Sequence, residues 1–344
     1  MKQVNWGIIG LGNIAIHIAR ALKFTTNSRL VGIASKNQTK IEKFKKEFNL
    51  DNNYCFNNYE DLINCNEIDA IYIALPNSLH SELIKSCIDG KKKILVEKPV
   101  TVNLLELENI KKIYNTKNIF FAEGFMYRHH PQILKVIELL NKNIIGNLIS
   151  MKSNFGEDIL YKKNFFGFKT IKNYKKENRL FSKVLGGGAI LDLGCYPVSL
   201  SLLIASLKPN VDLKNIELFN IKKNFGNTEV DVDSYLEINF DNKFRSHVAA
   251  SFIKNLGKES EIIGDNGKLI IKDSWHGRPS IIKIINKDEK EFEVKSEHNV
   301  YYYQMKNISK NILENKNKPD YPAMNFEDSL QNMKIVDKWL NNEK

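Results

Sequence analysis

The chain has 344 residues, 42% of them hydrophobic and 26% charged, ordinary proportions for a folded protein and length enough for two domains with cores of their own. No continuous apolar stretch reads as the roughly 18 residues that a membrane span needs, so no membrane partner is expected. The net charge of +11 invites a nucleic-acid reading, but the lysines are scattered among many asparagines and isoleucines instead of gathered on one face, and no nucleic-acid partner is expected either.

Four cysteines, Cys55, Cys65, Cys87 and Cys195, form no C-x-x-C pair and no metal-ligand spacing. They read as free thiols of a reducing compartment, and the expected location is cytoplasmic. His129 and His130 are adjacent, so they point apart, and no H-E-x-x-H occurs; no metal is expected.

Val4-Asn5-Trp6-Gly7-Ile8-Ile9 has the composition of a short buried strand. It runs into Gly10-Leu11-Gly12-Asn13-Ile14-Ala15, and Ile18, Ala19 and Leu22 continue with helical spacing. This is the G-x-G-x-x-A turn of a dinucleotide site in its strand-to-helix context. Gly10 permits a tight turn, Gly12 lets a pyrophosphate approach the main chain, Ala15 keeps the helix near the strand, and the helix start offers N–H groups to an anion. The second strand, Leu30-Val31-Gly32-Ile33-Ala34, ends in Ser35-Lys36-Asn37 with no carboxylate for a ribose 2′-OH. A hydroxyl, an ammonium and an amide suit a 2′-phosphate better, so NADP(H) is the expected cofactor and NAD(H) the alternative.

A helix over 39–47, strands near 54–56, 69–74, 94–96 and 119–122, and helices after Pro76-Asn77-Ser78 and over 103–115 continue the alternation. Asn77 or Ser78 is expected to cap the helix that follows it. Residues 1–122 therefore predict a doubly wound parallel sheet. From 123 the pattern changes. A helix begins near Pro131, a strand lies near 147–155, a long loop covers 156–185, and an apolar helical run covers 189–205 after Gly186-Gly187-Gly188. Strand-like runs separated by turn signals over 213–294 predict an antiparallel sheet, and amphipathic helices over 299–315 and 325–341 close the chain. Residues 123–344 are taken as the second domain.

Two constellations carry chemistry. Lys98 follows a buried strand, between Glu97 and Pro99; the proline biases it away from helical geometry and keeps it at the strand end, where such sheets place their ligands. Asp192 and Tyr196 are four apart in an apolar helix, hence on one face, and are poor core material unless satisfied.

These residues, with the glycine turn, Pro76-Asn77-Ser78-Leu79-His80, Glu123-Gly124-Phe125-Met126-Tyr127-Arg128, Gly186 to Pro197, Glu327-Asp328-Ser329 and Asn332-Met333, resemble the glucose–fructose oxidoreductase/inositol dehydrogenase (Gfo/Idh/MocA) family over nearly the whole chain. The dimeric dihydrodiol dehydrogenase and NADP-dependent D-xylose dehydrogenase branch looks nearest. The resemblance implies an α/β plus α+β fold, an N-terminal Rossmann parallel sheet followed by a substrate-binding and oligomerisation domain on a large open, mostly antiparallel sheet. The exposed face of that sheet would make a homodimer or homotetramer. It implies Lys98 as the active-site lysine, Tyr196 as proton donor or acceptor, and Asp192 as the acidic residue one turn before it. Many relatives carry His where this chain has Tyr196, which speaks against an inositol substrate. The expected cofactor residues are Gly10, Gly12, Asn13, Ile14, Ala15, Ser35, Lys36, Pro76, Asn77, His80, Glu97 and Lys98.

The expected function is hydride transfer between NADP(H) and a sugar, sugar derivative or related polyol. The alternatives are a nucleotide-sugar keto-reductase of glycan biosynthesis and a non-catalytic dinucleotide-binding redox sensor; a sensor would have no use for Lys98, Asp192 and Tyr196. Which of Lys98 and Tyr196 carries the proton stays open. Between Tyr161 and Lys183 the chain holds eight basic residues, Lys162, Lys163, Lys169, Lys172, Lys175, Lys176, Arg179 and Lys183, against one acid, Glu177, with Phe165, Phe166, Phe168 and Tyr174 interleaved. This segment reads either as a solvated lysine-rich loop or as a lid for an anionic substrate.

Overall fold

The computed structural model describes residues 2–163, 169–171 and 178–342. The chain divides into two compact units, Met1–His130 with Glu297–Gln331, and Pro131–Ser296 with Asn332–Lys344.

The first unit alternates strand and helix: β1 (Val4–Ile9), α1 (Asn13–Phe24), β2 (Ser28–Ala34), α2 (Gln38–Phe48), β3 (Cys55–Phe56), α3 (Tyr59–Asn64), β4 (Ala70–Ile73), α4 (His80–Asp89), β5 (Lys93–Val96), α5 (Leu104–Lys117) and β6 (Phe121–Glu123). The six strands form one sheet in the order β3-β2-β1-β4-β5-β6, every pair parallel. β4 and the end of β5 are buried at every position, as parallel strands covered on both faces are. The strand order reverses between β1 and β4. Beyond the carboxyl ends at such a reversal, open α/β sheets bind their ligands.

In the second unit, α6 (Pro131–Asn141) precedes β7 (Leu148–Gly156) and a short hairpin, β8 (Tyr161–Lys163) with β9 (Lys169–Ile171). A π-helical turn, Ile190–Gly194, then runs into α7 (Cys195–Ala205). The strands that follow are β10 (Ile216–Phe225), β11 (Asp231–Phe240), β12 (Phe244–Ser251), β13 (Ser260–Gly264), β14 (Gly267–Ile271), β15 (Ile281–Ile285) and β16 (Glu289–Glu293). Eight strands make one open sheet in the order β10-β11-β12-β7-β13-β14-β15-β16. Only the β12·β7 pair is parallel. All residues of α7 are buried, and the helix packs on β7 and β12. Glu237, His247, Lys152, Glu261, Ile270 and Lys283 are successive cross-strand partners. They form a largely charged row on the opposite face, where a sheet meets water or a partner.

Helices α8 (Val300–Leu313) and α9 (Phe326–Asn341) end the chain. Here the observed division departs from the expected boundary at 122/123. Residues up to His130 stay with the first unit, and the chain returns to it at Glu297. The reason is packing: Met305, Ile308 and Ile312 of α8 join Trp6, Ile8, Ile18 and Leu22 in one core, and the Trp6 indole N–H donates to Ser309 Oγ at 3.0 Å.

Two further expectations are corrected. The stretch 156–185 is not a plain loop, because it holds the β8–β9 hairpin and a 3₁₀ turn at Lys183–Leu185. Of its basic run, Lys172, Lys175 and Lys176 lie outside the described residues, as do Phe165, Phe166, Phe168, Tyr174 and Glu177. Second, one segment, Lys183–Ala205, is long and apolar enough to cross a membrane by length and composition, but its most apolar 18-residue window, of mean hydropathy 1.6, is wholly buried inside the protein.

Candidate active site

The first unit supplies a cradle for an anion. Gly10 sits at φ +90°, and a Cβ there would lie 2.5 Å from the carbonyl oxygen of Ala74, so only glycine allows β1 and β4 to approach at this turn. A Cβ on Gly12 would meet nothing within 4 Å, so the space above its main chain is open. No side chain caps the start of α1, and its first turn holds no acid. The first-turn N–H groups, those of Asn13, Ile14 and Ala15, therefore lack both an intrahelical acceptor and a capping side chain. Open backbone beside an uncapped, dipole-positive helix start suits the pyrophosphate of a dinucleotide.

At the end of β2, Ser35 is buried and its Oγ accepts the Asn37 N–H at 3.2 Å. Lys36 is exposed, with its ammonium 5.6 Å from the centre of the Tyr59 ring. Asn37 caps α2, accepting the Lys40 N–H at 3.0 Å. After β4, Pro76 precedes a 3₁₀ turn over Asn77–Leu79, and Asn77 is buried. α4 starts at His80 with Leu79 in the capping position, because the 3₁₀ turn over Asn77–Leu79 leads straight into the helix.

His80, one of the expected cofactor residues, is fully buried. Its Nδ1 lies 3.0 Å from the carbonyl oxygen of Pro99 and its Nε2 2.9 Å from that of Leu75. Both ring nitrogens are engaged by the main chain.

Lys98 stands half-buried just past β5, joined to Pro99 by a cis peptide. The Tyr72 hydroxyl donates to the Glu97 carboxylate. Glu123, at the end of β6, is 1% exposed and accepts the Val100 N–H at 2.8 Å. Burial pushes its carboxyl up to about 7; Ser329, the Val100 N–H and Arg128 pull it down, and Glu97 adds to the rise. The buried Arg128 guanidinium donates to the Pro322 carbonyl at 3.1 Å. Burial, then the Arg128 charge, hold His129 down at about 3, so its imidazole is neutral. Glu123 opens the Glu123–Arg128 motif, but nothing in its local sequence marks it for this contact.

In the second unit, Asp192 lies in the π-helical turn and Tyr196 in the first turn of α7. Single π turns inside helices recur at functional sites. Asp192 Oδ1 pairs with Arg179 Nη1 at 3.0 Å, the acid 12% and the arginine 51% exposed. Tyr196 is 5% exposed and meets Phe155 and Trp275 edge-on, with ring centres 5.3 and 5.5 Å away. Asp231 fixes the helix start from β11: its Oδ2 accepts the Ile190 N–H at 2.8 Å and the Ser234 hydroxyl at 3.2 Å. Gly188, at φ +116°, leaves room for that carboxylate, because a Cβ would lie 2.3 Å from Asp231 Oδ1. Phe155, Trp275 and Asp231 were not foreseen. No local pattern marks residues that reach this helix from strands and a turn remote in sequence. Among the described residues, no group of three or more His, Cys, Asp or Glu is placed to hold a metal ion.

Two family descriptions match the chain in sequence: "Oxidoreductase family, NAD-binding Rossmann fold" over residues 4–125 and "GFO/IDH/MocA C-terminal domain" over 133–270. The chain belongs to the Gfo/Idh/MocA oxidoreductase family. Its first unit contains the family's NAD-binding Rossmann domain. Relatives within the family include a trans-1,2-dihydrobenzene-1,2-diol dehydrogenase from Xenopus tropicalis, 26% identical over 84% of this chain and 81% of its own. A glucose-6-phosphate 3-dehydrogenase from Bacillus subtilis is 27% identical over 83% and 78%. A dTDP-3,4-didehydro-2,6-dideoxy-alpha-D-glucose 3-reductase from Actinomadura kijaniata is 28% identical over 57% and 54%. Among solved structures, a 3-ketoreductase from Actinomadura kijaniata in complex with NADP and TDP-benzene shares the fold with TM-score 0.81 and 21% identity over 98% of this chain and 97% of its own.

Proposed function

We propose that this Gfo/Idh/MocA oxidoreductase interconverts a carbinol and a carbonyl on a sugar, a sugar derivative or a related polyol, with NADP(H) preferred. The observation that carries the cofactor half is the glycine turn, open backbone at Gly12 beside an uncapped helix start. The named substrates of the relatives support the other half, since they are a cyclic diol and hexose derivatives. Gly10, Gly12, Asn13, Ile14 and Ala15 would hold the pyrophosphate, and Ser35 with Lys36 a 2′-phosphate. When bound, the nicotinamide supplies or accepts the hydride. Lys98 and Tyr196 serve the accompanying proton, and Asp192 orients the substrate. Pro76, Asn77 and Glu97 line the cofactor side.

Titrating both reduced cofactors by fluorescence tests the preference. Lys36→Ala should weaken NADPH binding roughly 10-fold, the worth of one charge-assisted bond, and leave NADH within about 2-fold; wild-type protein binding NADH as tightly as NADPH would sink the preference. The substrate class is tested by following nicotinamide absorbance over a panel of sugars, sugar phosphates, nucleotide sugars and trans-diols. Turnover of none of them would overturn the reading. Turnover of nucleotide sugars alone would select the second reading, a nucleotide-sugar keto-reductase, which the basic run around Arg179 and Lys183 favours.

A homodimer or homotetramer built on the charged outer row of the eight-stranded sheet belongs to the same proposal, as does a cytoplasmic location, supported by four free cysteines. Light scattering at defined concentration reads the assembly.

A further inference from the structure

We propose that Glu123 and His80 are positioning residues for Lys98, gripping the main chain just after it at two points. Lys98 itself lies on a short connection whose near end is pinned by the sheet, the Glu97 N–H donating to the Ile73 carbonyl at 3.0 Å. Beyond Lys98, the Pro99 carbonyl faces His80 Nδ1 at 3.0 Å, and the Val100 N–H donates to Glu123 Oε1 at 2.8 Å. The two grips come from different elements, the start of α4 and the end of β6.

Each gripping residue is itself held. His80 Nε2 faces the Leu75 carbonyl at 2.9 Å, so the ring ties the segment after β4 to the segment after β5. Carbonyl oxygens only accept, so the ring nitrogen that carries hydrogen is the one that donates. The Glu123 N–H donates to the Met324 carbonyl at 3.1 Å, and the Gly124 N–H to the Val96 carbonyl at 2.7 Å, which fixes the end of β6 against the end of β5. His80 is 0% and Glu123 1% exposed. Burying a carboxyl and an imidazole is costly where apolar side chains would pack, and here both are directed at the peptide groups that follow one lysine.

The grip also senses pH. Arg128 and Glu97 are the charged groups that face Glu123, and Tyr72 bonds Glu97 while Tyr301 feels its charge. With the carboxyl raised to about 7, it changes charge across the neutral range, and an N–H bond to a carboxylate is stronger than one to the neutral acid. The hold on Val100 should loosen as pH falls through about 7.

The catalytic role of Lys98 rests on the function proposed above; the grip does not, and neither readout here uses turnover. Amide exchange on the full chain by NMR reads Val100, with Ile71 and Leu95 in β4 and β5 as controls for general loosening. Glu123→Ala should speed Val100 exchange roughly 10-fold or more, as expected for loss of a charged acceptor, with the controls unmoved. Glu123→Gln, which keeps an acceptor, should restore it to within about 3-fold. Peptide-mapped trinitrophenylation should show the reaction rate of Lys98 changed in Glu123→Ala and in His80→Ala and recovered in Glu123→Gln. Val100 exchange and Lys98 labelling that match wild type in Glu123→Ala, or that change only in step with the controls, overturn the proposal. If Glu123→Ala does not fold, wild type decides: Val100 protection, corrected for intrinsic exchange, must fall relative to Leu95 between pH 8 and pH 6, and constancy overturns the grip.

Discussion

Tyr196→Phe and Lys98→Met should each lower kcat by about 10²–10⁴, the usual worth of a positioned proton-transfer group, or about 3–5 kcal/mol of barrier. The substitutions are chosen to spare the fold. Phenylalanine keeps the ring against Phe155 and Trp275, and methionine keeps most of the length of the half-buried Lys98. NADPH affinity, read by fluorescence, should stay near wild type in Tyr196→Phe. If the two side chains serve one proton-transfer step, the double variant should be little worse than the poorer single, because residues acting as a unit are strongly non-additive. Multiplied losses would assign them separate steps. Near-normal turnover in Tyr196→Phe would remove the phenol from the reaction.

The second large effect is on stability, and it belongs to Asp231. Burial raises its carboxyl to about 6, while the Ile190 N–H and the Ser234 hydroxyl hold it back. A pKa raised in the folded state means that the native protein binds the proton more tightly than the unfolded chain. The stability this confers is complete below the unfolded value near 4 and is lost as pH rises through about 6. A shift of about 2 units is worth about 3 kcal/mol. Asp231→Asn keeps an acceptor for Ile190 and removes the titration. The difference in unfolding free energy between Asp231→Asn and wild type should therefore move by about 3 kcal/mol in favour of Asn between pH 4 and pH 7.5. Urea unfolding followed through Trp275 and Trp339, both in the second unit, measures it. A pH-independent difference would mean that Asp231 keeps an ordinary carboxyl in the fold.

The glycine turn was legible in the sequence because it depends on local chemistry. At Gly10 the positive φ and the close Ala74 carbonyl demand glycine, the main chain of Gly12 faces open space, and the flanking strand and helix announce themselves by period. The parallel sheet followed from the same alternation. The π-helical turn beneath Asp192 was not legible, since an apolar run reads as helix whatever its pitch. The task of His80 was not legible either: two carbonyls, Leu75 and Pro99, select it by position in space, and main-chain acceptors leave no mark on residue type. The β8–β9 hairpin was not legible because its strands are three residues each and lysine-rich. Periodicity showed that α8 is amphipathic but could not say which core it would enter.

That last point bears on how the protein is made. The Trp6 indole finds its acceptor 303 residues later, at Ser309, and the core around Ile8 and Ile18 is closed by Met305, Ile308 and Ile312. A ribosome that has just released His130 has delivered every strand of the six-stranded sheet but not the helix that seals it. At about 5–20 residues per second, the apolar flank of α1 and β1 waits roughly 10–40 s before its cover emerges. During that interval this apolar flank stays exposed, and a fragment stopped near His130 would make a sheet that stays permanently unsealed.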